Sequence, residues 1–261
     1  MISSKTKICG LIGDPVAHSV SSVMHNAAFK ELGLDYLYLP FRVEKDNLPG
    51  AIGGLKALGI RGLNVTIPHK VAVIPLLDEL EPLAVKTGAV NTIVNDGGHL
   101  KGYNTDVDGF LRALFERGIE PEGKKVVVLG AGGASRAISF ALAEKGAEIV
   151  ILNRKLEMDW AVKLAGNISQ FSINEARAME LKDENLSLAL ETADILVNAT
   201  SVGMKPDIDR SLLPTRLFKP RLVVFDAVYN PLKTRLLSEA ESVGAETISG
   251  IEMLVWQGAL A

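Results

Sequence analysis

Few folds accommodate the stretch that begins at residue 125. Lys125-Val126-Val127-Val128-Leu129 runs without a spacer into Gly130-Ala131-Gly132-Gly133-Ala134-Ser135-Arg136 and a helical segment over 134–145. A strand that after its first residue holds only Val and Leu is buried on both faces, an environment that parallel sheets covered by crossover helices provide. In such a turn the first glycine takes the tight bend and the second lets the backbone approach a pyrophosphate, while the helix N-terminus holds the anion with its free N–H groups. Glu148-Ile149-Val150-Ile151-Leu152 supplies the next strand and completes a βαβ unit. Ser135 stands where the dinucleotide pattern has its third glycine. The order strand, turn, helix, strand favours a dinucleotide site, with a purely structural glycine turn as the alternative.

The same alternation extends in both directions. Upstream, apolar strands over 7–12, 36–41, 62–65 and 88–94 are spaced by helical segments over 21–31 and 48–58, which predicts a first, mainly parallel sheet. Asn95-Asp96-Gly97-Gly98 predicts a hairpin turn, with 99–103 returning antiparallel. Downstream, strands over 194–199 and 222–226 precede an amphipathic helix over 232–243. At 261 residues the chain is about 1.7 typical domain lengths, so two α/β domains fit, with the boundary near 104–124, bridged by a helix over 106–117.

Charge and cysteine content narrow the function. With 28 Lys and Arg against 31 Asp and Glu, the net charge of −3 argues against a nucleic-acid surface. The one cysteine, Cys9, can form neither an intramolecular disulfide nor a thiolate metal cluster, which points to a reducing cytoplasm. No stretch reaches the roughly 18 to 20 apolar residues of a membrane span, and the first residues carry no apolar signal core, so a soluble, unprocessed chain is expected. His18, His25, His69 and His99 have no metal-ligand spacing, and no metal is expected.

The second strand of the nucleotide unit ends at Asn153-Arg154-Lys155. NAD sites usually place a carboxylate there for the ribose 2′-OH, whereas a 2′-phosphate needs cations, so the pair predicts NADP. The alternative is an ordinary solvated helix start. Arg136 either reaches the adenosine phosphate or faces water. Thr200, Ser201 and Met204 end another strand on the ligand-binding side of the sheet, where they either position the ribose and nicotinamide or make a plain turn.

Three polar clusters lie in the first half. Ser19 and Ser21, before a helix, either cap it or hold a polyol or carboxylate. In Asn64-Val65-Thr66-Ile67-Pro68-His69-Lys70, alternation sends Asn64 and Thr66 to one side, and Pro68 marks the start of a new element with Lys70 at its mouth. A carbonyl reduced by hydride develops negative charge on oxygen, so a nearby ammonium stabilises it and donates a proton. An exposed surface lysine is the plain alternative. Asn91 and Asn104-Thr105-Asp106 form the third cluster, where Asp106 either caps a helix or orients Lys70.

Together with the glycine loop, these clusters closely resemble the shikimate dehydrogenase family. The motifs occur in family order: residues 13–21 with Gly13, Pro15, His18, Ser19 and Ser21, then Asn64 to Lys70, Gly88-Ala89-Val90-Asn91-Thr92, Gly102-Tyr103-Asn104-Thr105-Asp106, and Gly130 to Arg136. The resemblance implies reversible, NADPH-dependent reduction of 3-dehydroshikimate to shikimate on the chorismate route to aromatic amino acids. It implies a catalytic pair, Lys70 and Asp106. It further implies that Ser19 and Ser21, with Tyr229, bind the substrate carboxylate, and that Asn64, Thr66, Asn91, Asp106 and Gln257 bind the ring hydroxyls.

For the cofactor it implies Gly130, Ala131, Gly132, Gly133, Ala134, Asn153, Arg154, Lys155, Thr200, Ser201, Met204, Val228 and Gly250. The implied organisation is a substrate-binding catalytic domain over 1–105, a Rossmann-type NADP-binding domain over 106–235 and a helical segment over 236–261 returning to the substrate domain. Family members continue past the position matching Ala261 into a further short helix, and they often carry Thr where this chain has Lys155. Two other functions stand beside this one. A quinate/shikimate dehydrogenase of broader substrate and cofactor specificity needs room for an extra hydroxyl near Ser19. A noncatalytic NADP-binding regulatory protein needs the glycine loop but not Lys70 and Asp106. No interface is legible in the sequence, which leaves a homodimer open.

Overall fold

The computed structural model describes residues 2–17 and 19–261, so His18 lies outside the described residues. The chain divides into two compact units, Met1–Thr105 with Gly258–Ala261, and Asp106–Gln257. Both are α/β units, each built on its own six-stranded sheet.

In the first unit the elements are β1 (Lys7–Gly13), α1 (Ser21–Glu31), β2 (Tyr36–Arg42), α2 (Leu48–Ala57), β3 (Gly62–Val65), β4 (Glu79–Leu80), α3 (Pro82–Thr87), β5 (Thr92–Asp96) and β6 (His99–Tyr103). Their order in the sheet is β2-β1-β3-β5-β6-β4. Strands β2, β1 and β3 are parallel, while β5 pairs antiparallel with both β3 and β6. The predicted hairpin is present, with Gly97 and Gly98 at φ 60° and 95° supplying the left-handed backbone that its turn demands. Ile12, Leu63, Val65 and Ile93 bury against Leu48, Ile52 and Leu55 of α2 to form the core.

Two boundaries differ from expectation. The strand expected from residue 88 begins only at Thr92, because Gly88 (φ 61°) is the left-handed cap of α3. No helix starts at Pro68. The chain makes one α-type turn, Val73 N–H to His69 O at 2.9 Å, and Pro75 then removes the N–H and the space that a continuing helix requires. Lys70 therefore sits within a short turn.

The second unit comprises α4 (Asp106–Phe115), β7 (Lys125–Leu129), α5 (Gly133–Glu144), β8 (Glu148–Asn153), α6 (Met158–Ser169), β9 (Arg177–Glu180), α7 (Asp183–Glu191), β10 (Ile195–Asn198), β11 (Val223–Asp226), α8 (Arg235–Ser242), β12 (Glu246–Ser249) and α9 (Gly250–Leu260), whose last residues join the first unit. All its strands are parallel, in the order β9-β8-β7-β10-β11-β12, the 3-2-1-4-5-6 arrangement of the dinucleotide-binding fold. Helix α4 turns Val107, Phe110, Leu111 and Leu114 inward at helical spacing. Phe110 meets Phe225 of β11 edge to face, with ring centroids 4.9 Å apart.

Helix α8 starts three residues later than the amphipathic pattern suggests, because the Thr234 hydroxyl accepts the Leu237 N–H as its N-cap. The tail expected to leave this unit from residue 236 stays with it through Gln257. Strand β12 pairs with β11 from Val223↔Glu246 to Asp226↔Ser249, and only Gly258–Ala261 group with the first unit.

Candidate active site

In the first unit, polar side chains converge where β1 and β3 end. Asn64 accepts a hydrogen bond from the Tyr38 hydroxyl at 2.7 Å, and its Nδ2 donates to Thr92 Oγ1 at 3.0 Å and to the Asn91 carbonyl at 3.3 Å. Asn91 is buried. Its Oδ1 accepts from the Thr92 hydroxyl at 3.1 Å and the Thr105 N–H at 2.9 Å, while its Nδ2 donates to Thr105 Oγ1 at 2.8 Å. These bonds orient both amides and tie β3 and β5 to the segment that leads into α4. The Lys70 carbonyl accepts the Val90 N–H at 2.8 Å, which stitches the lysine-bearing turn to the residue preceding Asn91. Beside it, fully buried His69 anchors the same turn through Nε2, 2.7 Å from the Val43 carbonyl. Thr66 packs its methyl into the space that a side chain at Gly13 would occupy, 2.3 Å from where a Cβ would stand.

Ser19 and Ser21 lie together. The Ser19 hydroxyl donates to Ser21 Oγ at 3.1 Å and accepts the Ser21 N–H at 3.2 Å. The N-cap of α1 is Val20, with no side-chain cap, so neither serine serves as the cap that the sequence left open.

In the second unit, Asp106 is the buried first residue of α4. One turn along, Gly109 lets α9 close on α4, since a Cβ there would stand 2.7 Å from Gln257 Cβ and 2.8 Å from its backbone nitrogen. Gln257 thus lies on the helix adjacent to the one carrying Asp106, and its Nε2 donates to the Leu254 carbonyl at 3.0 Å.

The glycine turn has the geometry its sequence requires. Gly130 has φ 98°, and a Cβ there would lie 2.8 Å from Thr200 Cγ2, which brings the two loops together at the carboxyl ends of β7 and β10. Gly132 is the N-cap of α5 and has open space where a Cβ would point. Buried Ser135, the residue replacing the third glycine, donates to the Gly130 carbonyl at 2.6 Å and so ties the turn to the helix. Arg136 is half-buried, and desolvation pulls its guanidinium below the usual arginine range. At the end of β8, Asn153 is buried while Arg154 and Lys155 are exposed.

Sequence reasoning missed a buried knot beneath this loop. Asp226, at the end of β11, accepts from the Thr234 hydroxyl at 2.5 Å, Asn198 Nδ2 at 2.9 Å and the Val228 N–H at 3.0 Å. Asn198 Oδ1 in turn accepts from the Thr200 N–H and hydroxyl. A Cβ at Gly250 would stand 2.4 Å from the Ala227 carbonyl oxygen, so α9 starts directly against the backbone next to Val228. Despite its three donors, burial pushes the Asp226 carboxyl up to about 6. A carboxylate closing a buried parallel strand was the signal for it. Tyr38, which orients Asn64, offered only its place in an apolar strand.

Residues 11–93 match the model of the shikimate dehydrogenase substrate binding domain, and residues 114–226 that of shikimate / quinate 5-dehydrogenase. The chain belongs to the shikimate dehydrogenase family. It is 52% identical to the shikimate dehydrogenase (NADP(+)) of Methanopyrus kandleri, an alignment covering all of this chain and 90% of that one. The shikimate 5-dehydrogenase of Thermus thermophilus, solved in complex with NADP(H) and shikimate, superposes with a TM-score of 0.85 at 41% identity over 97% of this chain and 91% of that one. The Listeria monocytogenes shikimate 5-dehydrogenase, solved with shikimate and NAD, gives 0.88 at 43% identity over 99% and 91%. Within the shikimate dehydrogenase family, the first sheet is the substrate-binding domain and the second the Rossmann-type NADP-binding domain.

Proposed function

We propose that this chain is an NADP-dependent shikimate dehydrogenase that interconverts 3-dehydroshikimate and shikimate in aromatic amino acid biosynthesis. The observation that carries the reading is the hydrogen-bonded Tyr38–Asn64–Thr92–Asn91–Thr105 chain beside the Lys70 turn, because it fixes the orientation of Asn64 and Asn91, the two amides that the family resemblance assigns to the ring hydroxyls.

The second domain fits a dinucleotide. Open space at Gly132, the close approach of Gly130 to Thr200 and the N-terminus of α5 form a cradle for a pyrophosphate. Arg154 and Lys155 supply positive charge for a 2′-phosphate, Asn153 holds the backbone beside them, and Thr200, Ser201, Met204, Val228 and Gly250 line the nicotinamide end. When bound, NADPH supplies the hydride. Lys70 donates the proton to the ketone oxygen and stabilises the charge developing there; in the reverse direction the neutral Lys70 amine takes that proton back, and Asp106 orients the lysine and relays the proton onward. Ser19 and Ser21 bind the carboxylate with Tyr229, while Asn64, Thr66, Asn91, Asp106 and Gln257 bind ring hydroxyls.

The paired Ser19 and Ser21 hydroxyls favour shikimate over quinate, whose extra hydroxyl needs the volume they fill. The single thiol, Cys9, supports a cytoplasmic location. The test is initial rates by nicotinamide absorbance, with shikimate or quinate crossed against NADP or NAD. Shikimate with NADP is expected to give the highest kcat/KM. Quinate or NAD matching it would overturn the specificity, and no turnover with any pair would favour a noncatalytic binder.

A further inference from the structure

The end of β8 carries two cations, but it also carries a carboxylate aimed at one of them. After Asn153 the chain makes a short 3-10 turn, Lys155–Glu157, closed by the Glu157 N–H to the Arg154 carbonyl at 2.9 Å. Asn153 Nδ2 donates to the Glu157 carbonyl at 2.8 Å, so the backbone of Glu157 is pinned at both its nitrogen and its oxygen. That pinning delivers Glu157 Oε1 to Nη2 of Arg154, which it contacts as an i,i+3 ion pair. The glutamate side chain is largely covered, at 25% exposure, while Arg154 remains 69% exposed. The cation is therefore presented to solvent with its counter-ion already in place, and the Glu157 carboxylate holds its guanidinium above the usual arginine range.

We infer that Glu157 is a specificity-determining residue that competes with the adenosine 2′-phosphate for Arg154 and so narrows the preference for NADP over NAD. This inference rests on the reading that Arg154 receives the 2′-phosphate. A phosphate monoester brings nearly two negative charges near neutral pH, so its approach to Arg154 has to displace the carboxylate or bind against its repulsion. A ribose 2′-OH carries no charge and meets no such repulsion. A carboxylate at the end of this strand is also the group that accepts from that hydroxyl. The same glutamate thus penalises one cofactor and tolerates the other.

Glu157 also stands at the start of α6, where an acidic side chain suits the helix dipole. Such a structural role alone would affect ligands with and without the 2′-phosphate equally. The discriminating probes are adenosine 2′,5′-bisphosphate and 5′-AMP, which differ only in that group, titrated calorimetrically into the full chain with Glu157→Gln, Arg154→Gln and the double variant. Exposed ion pairs are weak, so Glu157→Gln is expected to tighten the bisphosphate about two- to five-fold at low salt and to leave AMP within about 1.5-fold. The gain should shrink as salt rises. Arg154→Gln should weaken the bisphosphate alone, and in that background the gain from Glu157→Gln should be smaller than in the wild type, because the competition for Arg154 is gone and only the direct repulsion remains. If Arg154→Gln selectively weakens the bisphosphate while Glu157→Gln leaves it unchanged, or shifts both probes equally, the competition is refuted and the 2′-phosphate reading stands. If Arg154→Gln does not distinguish the probes, the 2′-phosphate reading fails and the inference falls with it.

Discussion

Asp226 gives the sharpest physical prediction outside the chemistry itself. It is fully buried, has no cationic partner among its hydrogen bonds, and titrates at about 6 instead of 3.8 because desolvation outweighs three donors. A carboxyl whose pKa is raised on folding binds its proton more tightly in the folded state. Its contribution to stability is therefore full below about pH 4 and is lost as pH rises through about 6. A rise from 3.8 to about 6 corresponds to about 3 kcal/mol in all. The amide introduced by Asp226→Asn stays neutral throughout and cannot make that contribution pH-dependent.

The stability difference between variant and wild type should consequently move in the variant's favour by about 2.4 kcal/mol between about pH 4 and pH 7, whatever its absolute offset. Asp78, Glu79 and Glu241, which hydrogen bonds to lysines hold below the carboxylate range, act in the opposite direction by losing stabilisation toward acid. They are present in both proteins and cancel in the difference. Urea unfolding followed by circular dichroism at four pH values across that range measures it. A difference that stays flat from pH 4 to 7, or that moves toward the wild type, would refute the argument that burial dominates at this carboxyl.

Two further substitutions test how the sites are positioned. Tyr38→Phe removes the 2.7 Å bond to Asn64 and leaves an amide oxygen short of a donor, at a cost of about 1–3 kcal/mol, so KM for shikimate should rise roughly several-fold while that for NADP stays level. Steady-state kinetics with each substrate varied in turn checks the split. Gly250→Ala places a Cβ 2.4 Å from a backbone carbonyl that has no flexible end to yield, so a loss of about 1–3 kcal/mol in denaturation and a raised KM for NADP are expected.

What was legible in the sequence follows from how locally each element is determined. Strands β1 and β7 and the hairpin over residues 95–98 read directly, since a long apolar run or a double-glycine turn needs no distant partner to be recognised. Strands β9 and β12 escape a reading by pattern because Arg177-Ala178-Met179-Glu180 and Glu246-Thr247-Ile248-Ser249 are outer strands with mixed polarity, and only pairing with β8 and β11 makes them strands. The turn after Pro68 has the pattern of a helix start, since Pro68 suits a first helical turn and the interruption comes only at Pro75. Among site residues, the polar side chains stood out by type. Tyr38 and Asp226 did not, because their importance lies in which amides and hydroxyls they orient, from residues distant in the chain. The Glu157 contact likewise depends on a tight turn that the residue pattern alone does not specify.

The proposed roles of Lys70 and Asp106 in proton transfer during NADP-dependent oxidation of shikimate are open to a direct test. The most direct measurement is the initial rate with saturating shikimate and NADP for the wild type, Lys70→Ala and Asp106→Asn, alongside the affinity of each protein for NADP. kcat is expected to fall on the order of 10²- to 10⁴-fold in both variants while NADP binding is retained. Turnover by Lys70→Ala at the wild-type rate would contradict those roles.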